Sequence, residues 1–239
     1  MPSYKLIPTP QDELDTESPG QKIEKLSARE SNQEYRRGTI PESLASLGKS
    51  DIFWFNYAIE REFEYETLEG EHTTKILEKH PIIFLNSNFV AIGSCKQEVE
   101  DEIIEFIETH FISGYSLETL ELRKGSLRQI IENAPDIIKA DFNPTDRSEP
   151  EQISGKDRRS LKATDFWQRH EGKPVSKVKV NLPGEDKEIR VGFDKYGTII
   201  LYEQKLTMKD QVEALNYIAE NVVSKFANPG YQSTLGGGN

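Results

Sequence analysis

The sequence predicts an α+β fold in which antiparallel sheets are each covered by a helix, arranged as two similar β-hairpin–helix lobes. Residues 82–92 have the pattern of a buried hairpin, and an acidic amphipathic helix over residues 97–111 follows directly. The same order returns near the C-terminus, where a hairpin over residues 188–202 precedes an amphipathic helix over residues 208–226. Each helix needs an apolar surface to cover, and the hairpin before it is the nearest one.

The two helices are predicted from apolar residues that recur at spacings of three and four. In the first helix this stripe consists of Val99, Ile103, Phe106, Ile107 and Phe111. In the second helix it consists of Val212, Leu215, Ile218, Ala219, Val222 and Phe226. Thr207 and Asp210 have the spacing of a capping box, which places the start of the second helix at residue 208.

Composition divides the 239 residues into five segments. Residues 1–45 are polar and contain several prolines, and they are predicted to be mostly disordered. Residues 46–142 form the first α+β lobe, and residues 174–228 form the second. Between the lobes, residues 143–173 form a polar, basic linker, and residues 229–239 form a flexible tail.

A short helix is predicted over residues 40–47, just ahead of the strands of the first lobe. A long strand over residues 53–67 follows, in which apolar residues alternate with a row of acids. Residues 73–77 are expected to pair with this strand. After the central hairpin and helix come a strand over residues 117–122, a helix over residues 126–133 and a strand over residues 137–142.

The second lobe is predicted as a three-strand meander over residues 175–202, followed by the long helix. Antiparallel strands with helices on one face are typical of an α+β protein, and nothing indicates a parallel doubly wound sheet. At the level of fold alone, a curved antiparallel sheet gripped by a long helix and repeated twice resembles the TATA-binding-protein-like or helix-grip arrangement. Such an arrangement hosts many unrelated functions, so the resemblance implies an architecture and no particular activity.

Charge, hydropathy and cysteine content argue against several classes of protein. The formal net charge of −11 disfavours a protein that coats nucleic acid through bulk electrostatics. No apolar run reaches the roughly 18 residues of a membrane-spanning helix, and the N-terminus lacks the order of a signal peptide, so a soluble, cytoplasmic protein is expected. The single cysteine, Cys95, cannot form an intrachain disulfide or, by itself, a structural zinc site.

The charge is unevenly distributed along the chain. Residues 51–111 contain fourteen Asp and Glu against four Lys and Arg, a local balance of −10, whereas residues 156–179 have a balance of +5. This basic island mixes cations with aromatic rings, a combination that can neutralise phosphates and stack on exposed bases. Its candidate nucleic-acid-binding residues are Lys156, Arg158, Arg159, Lys162, Trp167, Arg169, Lys173, Lys177 and Lys179. A solvated linker that contacts an acidic surface explains the same residues.

A metal-dependent nuclease is the alternative enzymatic hypothesis. Glu203 and Lys205 form an acid-any-lysine triplet just after a predicted strand, as in nucleases that hold Mg²⁺ at the end of a core strand. The second acid would be Glu188 or Asp194. Such triplets are also expected at a solvated strand end in a chain this rich in charge.

The other reactive side chains lack a catalytic spacing. His72, His80, His110 and His170 show no metal-binding pattern, and Cys95 precedes a helix without a His, Asn or Asp neighbour. We therefore expect exposed or capping histidines, a packed cysteine and no resident metal or cofactor, with Mg²⁺ required only under the nuclease hypothesis.

These observations together predict a non-enzymatic binding protein that acts as an accessory or regulatory subunit. The acidic strand and the acidic helix are suited to a basic protein partner, and the basic linker is suited to contact with nucleic acid. The expected partner is a protein or a nucleoprotein, and no membrane is involved.

Overall fold

A computed structural model describes residues 1–10, 19–27, 37–48, 51–68, 70–86, 88–112, 114–122, 124–134, 136–142, 152–154, 161–170, 174–183, 188–203 and 205–226. These residues form a mixed α/β fold built on one large, open antiparallel sheet. Its strands are β1 (Ser3–Pro8), β2 (Arg37–Ser46), β3 (Phe53–Thr67), β4 (Gly70–Leu85), β5 (Phe89–Gly93), β6 (Asp136–Phe142), β7 (Gln152–Ser154), β8 (Val175–Pro183), β9 (Glu188–Asp194) and β10 (Thr198–Leu201).

The helices are α1 (Pro19–Lys25), α2 (Gln97–His110), α3 (Lys124–Asn133), α4 (Asp165–His170), α5 (Met208–Ile218) and α6 (Ser224–Phe226). A 3₁₀ turn covers Leu161–Ala163, and a π-helical turn over Ala219–Val223 joins α5 to α6. The predicted capping box starts α5, because Thr207 accepts a hydrogen bond from the Asp210 amide and the Asp210 carboxylate accepts one from the Thr207 amide.

Strand β1 lies at the centre of the sheet, whose strand order is β2-β3-β4-β5-β1-β10-β9-β8-β6-β7. Tyr4 of β1 pairs with Gly93 of β5 on one side and with Ile199 of β10 on the other. Both pairings are antiparallel. The N-terminal strand therefore joins the two predicted hairpins into one sheet.

The sheet has a hydrophobic core on each face. Because side chains alternate along a strand, Ile82 and Phe84 of β4 belong to one core, whereas Ile83 and Leu85 belong to the other. Helix α2 contributes to the first, which we refer to as the α2 core, and helix α5 to the second, the α5 core. Their buried apolar residues follow the predicted stripes: Val99, Ile103 and Ile107 in α2, and Val212, Leu215 and Ile218 in α5. The two helices thus cover opposite faces.

Both predicted hairpin–helix units are present, but they share a single sheet. They lie in mirrored order around β1, with β5 and β10 next to it and β4 and β9 outside them. The two-lobe arrangement is therefore not confirmed, because the N-terminal segment contributes the strand that joins the units into one sheet. The resemblance to a TATA-binding-protein-like or helix-grip fold stays a prediction.

The N-terminal segment differs most from expectation. Residues 1–45 were expected to be mostly disordered, yet they contain β1, α1 and most of β2. Leu6 and Ile7 face opposite cores and are completely buried. Two adjacent apolar residues are too short a pattern to predict a strand. Strand β1 is stabilised instead by its pairing with β5 and β10, which a local pattern does not show.

Two local predictions are also wrong. Residues 40–47, expected as a helix, mostly belong to β2, whose register with β3 shifts between Ile40 and Ala45. Pro41 lies within this bulge, where a missing backbone N–H is tolerated. Residues 117–122, expected as a strand, form an extended loop that buries Leu117, Leu120 and Leu122.

The predicted linker contains more regular structure than its composition indicates. Strand β7 and helix α4 both lie between residues 143 and 173. The linker also contains the 3₁₀ turn and residue 164. Its other residues, and the predicted tail over residues 229–239, lie outside the described residues. Strand β7 forms one edge of the sheet, beyond β6.

Candidate functional site

The hairpin of β3 and β4 projects beyond the neighbouring strands. β3 and β4 remain paired out to Thr67 and Gly70. On one side β2 stops pairing at Ile59, and on the other side β5 pairs with β4 only from Ile82 onward. We refer to the described residues of 60–77 as the arm, a two-stranded ribbon with no third strand beside it in the described part of the chain.

One face of the arm carries a short row of rings. The ring centroids of Phe63 and Tyr65 are 6.3 Å apart, and those of Tyr65 and His72 are 5.6 Å apart. Phe63 is 53% exposed and Tyr65 is 44% exposed. Because Ile59 on the same strand faces the α2 core, the alternation places these rings on the α2 side of the sheet.

Exposed apolar side chains are concentrated on the arm. Of the eight large apolar side chains that are exposed among the described residues, five belong to it: Phe63, Tyr65, Leu68, Ile76 and Leu77. The predicted strand over residues 53–67 is therefore confirmed, but its apolar residues are buried only as far as Ile59. Beyond this point no helix or third strand in the described structure covers them.

The opposite face of the arm is acidic. Over residues 60–77 the sequence has six glutamates against Arg61 and Lys75, a net charge of −4. Lys75 Nζ lies 3.2 Å from Glu60 Oε1, which neutralises one of these acids near the base of the arm. The row itself consists of Glu60, Glu62, Glu64 and Glu66 on β3, and Glu71 lies opposite Glu66 on β4.

Cys95 lies beside a buried ion pair that connects β1 to α2. Lys5 Nζ donates a hydrogen bond of 2.5 Å to Glu100 Oε2, and the Glu100 side chain is only 1% exposed. Burial, followed by the Glu100 carboxylate, raises the pKa of the Cys95 thiol to about 11. The thiol packs against the α2 core and is protonated at neutral pH, which removes the thiolate that a nucleophile needs.

The predicted basic island does not form one surface in the described structure. Lys162 Nζ donates to the backbone oxygens of Glu132 and Ala134, at 2.9 and 2.8 Å, and so caps the end of α3. The Trp167 ring packs against Phe142 with a centroid distance of 6.0 Å. Arg169 is exposed on α4, and Lys156, Arg158, Arg159 and Lys173 lie outside the described residues.

The other two island lysines lie on the sheet face that points away from α5. Val178 and Val180 of β8 belong to the α5 core, so Lys177 and Lys179, which alternate with them, point to the opposite side. Lys177 lies between two acids, because its register partners are Asp141 on β6 and Asp194 on β9. The register partners of Lys179 are instead a second lysine, Lys139, and Gly192.

Two cations on this face were missed by the sequence analysis. Lys139 of β6 and Arg190 of β9 join Lys179, although they are far apart along the chain. Tyr202 follows β10 on the same side, and Lys179 Nζ lies 3.6 Å from the centroid of its ring. The alternation of polar and apolar residues in β8 and β9 indicates that one side of these strands is accessible to solvent. The strand register is needed to show that Lys139, Lys179 and Arg190 are neighbours on that side.

The strand register separates Asp194 from the other three residues of the nuclease hypothesis. The Asp194 carboxylate accepts hydrogen bonds from the amides of Tyr196 and Thr198, at 3.0 and 2.9 Å, and so stabilises the β9–β10 turn. Glu203 lies at the other end of that hairpin, about 16 Å from Asp194 at ~3.3 Å per residue. Glu188 lies at the same end of the hairpin as Glu203, because Leu201 pairs with Val191, and Lys205 is exposed with a φ of 62°.

The histidines have separate environments. His72 stacks on Tyr65, and His80 Nε2 lies 3.5 Å from Glu78 Oε2. At the end of α2, Lys22 Nζ donates to the His110 carbonyl at 2.9 Å. Burial, and then the Lys22 charge, lower the pKa of His110, so Lys22 supplies the positive charge at this helix end. The side chain of His170 lies outside the described residues.

Within the described ranges, no group of three or more His, Cys, Asp or Glu side chains is placed to hold a metal ion. No helix in the same ranges is both long and apolar enough to cross a membrane. No protein-family model matches the chain, and no curated protein is significantly similar to it.

Proposed function

We propose that this chain is a non-enzymatic binding protein, an accessory or regulatory subunit that docks onto a protein partner through the β3–β4 arm. The observation that carries the proposal is the row of exposed rings at Phe63, Tyr65 and His72 on a ribbon that no other described element covers. Contiguous exposed apolar surface on a globular protein is typical of an interaction site.

The construction of the arm supports this proposal. An isolated two-stranded ribbon is marginally stable in water, and a partner that covers the rings would supply the missing third layer. Phe63 and Tyr65 are aromatic, and aromatic residues are enriched at the energetic centres of protein interfaces. The glutamates on the opposite face discourage accidental pairing with other strands, so the exposed ribbon can persist before it binds.

The partner that fits the arm is a basic protein. The net charge of −4 over residues 60–77 favours a positively charged surface, which would steer the encounter and determine the orientation. A second copy of this chain is disfavoured, because two arms would bring two glutamate rows together and the whole chain carries a charge of −11. The two hairpin–helix units around β1 support a two-lobed, internally repeated architecture that holds the arm at one end.

Affinity capture from the native cell extract tests the proposal. The wild-type chain should retain a partner that the double variant Phe63→Ser/Tyr65→Ser loses. The matched control is Tyr196→Ser, which removes an aromatic ring that is 58% exposed at the β9–β10 turn, outside the arm. Glu62→Lys/Glu64→Lys brings the net charge of the arm from −4 to zero, so it should weaken retention and remove most of its salt dependence. Retention that is equal in the wild type and the Phe63/Tyr65 variant would refute docking through the arm.

A further inference from the structure

The sheet has a second surface that the arm does not use. We refer to it as the open face: the side of β6, β8, β9 and β10 that points away from α5. Its side chains are exposed or half-buried, whereas their neighbours on each strand are buried in the α5 core. The residues that define it here are Lys139, Lys179, Arg190, Ile200 and Tyr202.

Strand register concentrates positive charge at one place on this face. Lys139 and Lys179 are direct partners on β6 and β8. Arg190 on β9 is the partner of Asn181, two residues from Lys179, and so lies diagonally across from that lysine. With neighbouring strands ~4.8 Å apart, the three cations lie within a patch about 10 Å wide.

Gly192 and Tyr202 hold the central lysine in position. The Tyr202 ring lies over Gly192, where a Cβ would be 2.7 Å from Tyr202 Cε2. The ammonium group of Lys179 makes a cation–π contact with the Tyr202 ring, and its nitrogen lies 3.6 Å from the ring centroid. The absence of a side chain at Gly192 thus leaves room for the ring, and the ring contacts the lysine.

The cations of this patch repel one another. Burial lowers the pKa of Lys179, and the charges of Arg190 and Lys139 lower it further. Nearby acids on this face are Asp136, Asp141 and Asp194. The Asp136 carboxylate accepts a hydrogen bond from the Asn181 side-chain amide at 3.4 Å, Asp194 stabilises its own turn, and Asp141 lies opposite Lys177 and 3.8 Å from Lys139 Nζ. An oxyanion bound between Lys139, Lys179 and Arg190 would relieve the repulsion.

We propose that the open face binds the phosphate groups of single-stranded nucleic acid. An ammonium and a guanidinium group are the usual phosphate contacts, and the flat sheet offers room for an extended polymer rather than a ridge that enters a duplex groove. Ile200 and Tyr202 lie beside the cations and give bases or sugars an apolar contact. An acidic peptide would satisfy the cations but would make little use of these two side chains.

This inference is independent of the proposed docking through the arm, because the two surfaces share no residue. It also relocates the nucleic-acid contact that the sequence placed in the basic linker. Lys162 is hydrogen-bonded to the end of α3, and Trp167 packs against Phe142. Of the residues predicted to bind nucleic acid, the patch therefore contains Lys179, and it adds Lys139 and Arg190.

Fluorescence anisotropy with the full chain and a labelled 20-nucleotide oligothymidylate tests the inference between 50 and 200 mM salt. Three phosphate contacts predict a slope of log affinity against log salt of about −2, from ~0.7 per contact. The double variant Lys179→Gln/Arg190→Gln should bind at least about tenfold more weakly, with a slope smaller by about 1.4. Lys205→Gln/Lys209→Gln removes the same charge at exposed positions outside the patch and should bind as the wild type does.

Circular dichroism melting of each variant verifies that it is folded. The single variant Arg190→Gln leaves the contact between Lys179 and Tyr202 intact and should lose part of the affinity for the oligonucleotide. Polyglutamate serves as the competing ligand. No binding of the oligonucleotide at 50 mM salt, equal binding by the patch variant and the control variant, or binding of polyglutamate in place of the oligonucleotide would each overturn the inference.

Discussion

Gly197 lies directly against the backbone of Leu120. A Cβ atom at residue 197 would be 1.7 Å from the Leu120 carbonyl oxygen, and the φ of Gly197 is 80°. This contact joins the β9–β10 turn to the loop that precedes α3. Leu120 in turn donates its amide to the Leu6 carbonyl at 2.7 Å, so the loop is also attached to the central strand.

Gly197→Ala should therefore destabilise the fold by about 3 kcal/mol or more, because it combines a backbone clash with an unfavourable φ. Gly48→Ala is the matched control, since Gly48 also has a positive φ but nothing lies within 4 Å of a Cβ there. We expect the control to lose about 1 kcal/mol. Urea denaturation measures both, and equal losses would show that the contact with Leu120 is unimportant.

The Lys5–Glu100 pair should be important for stability. Lys5→Met leaves a carboxylate that is 1% exposed without its ammonium partner, so we expect the free energy of unfolding to fall by about 3 kcal/mol. Lys209→Met removes a lysine from an exposed i, i+4 pair with Glu213 and should cost less than about 0.5 kcal/mol. Chemical denaturation compares the two variants. A loss for Lys5→Met as small as that of the control would contradict a buried, paired carboxylate.

Cys95 should react slowly with thiol reagents at pH 8. At pH 8 its raised pKa of about 11 leaves roughly two hundredfold less thiolate than in the unfolded chain, whose thiol has a pKa of about 8.5. The rate should keep rising above pH 9, where the rate of the urea-unfolded chain levels off. The protonated thiol stabilises the fold below pH 8.5, and this contribution is lost as the pH rises toward 11. A rate that levels off near pH 8.5 in the folded protein would contradict the assigned environment.

The arm should be dispensable for folding. Replacing residues 62–75 by an Asn-Gly turn between Arg61 and Ile76 removes a ribbon whose described residues are all exposed. We expect the free energy of unfolding to change by less than about 1 kcal/mol, because little apolar surface of the arm is buried. Thermal and urea denaturation measure this change. Loss of cooperative unfolding would show that the arm is part of the core.

The elements that could be predicted from the sequence are those marked by a local pattern of residues. The apolar stripes of α2 and α5, the capping box at Thr207 and the long strand from residue 53 to 67 are all present. These features depend on residues within a few positions of one another. The coarse α+β class could be predicted for the same reason.

What the sequence could not predict depends on pairing between distant segments. Strand β1 is stabilised by both of its neighbours, and β2 tolerates Pro41 because of a bulge against β3. The two candidate surfaces also depend on pairing between distant segments. The sequence showed the acidic row at Glu60–Glu66, but the exposure of Phe63 depends on β2 pairing with β3 only as far as Ile59 in the described structure, and the patch at Lys179 depends on the register of β6 and β9.

Site-specific photo-crosslinking tests the central claim, docking through the arm, most directly. Benzoylphenylalanine is placed at Tyr65 in one variant and at Tyr196, which is more exposed, in another, and each is irradiated in native extract. Docking through the arm predicts that one basic protein is crosslinked from residue 65, that Glu62→Lys/Glu64→Lys reduces this crosslink, and that the protein is not crosslinked from residue 196. Crosslinks of equal yield from both positions, or from residue 196 alone, would contradict it.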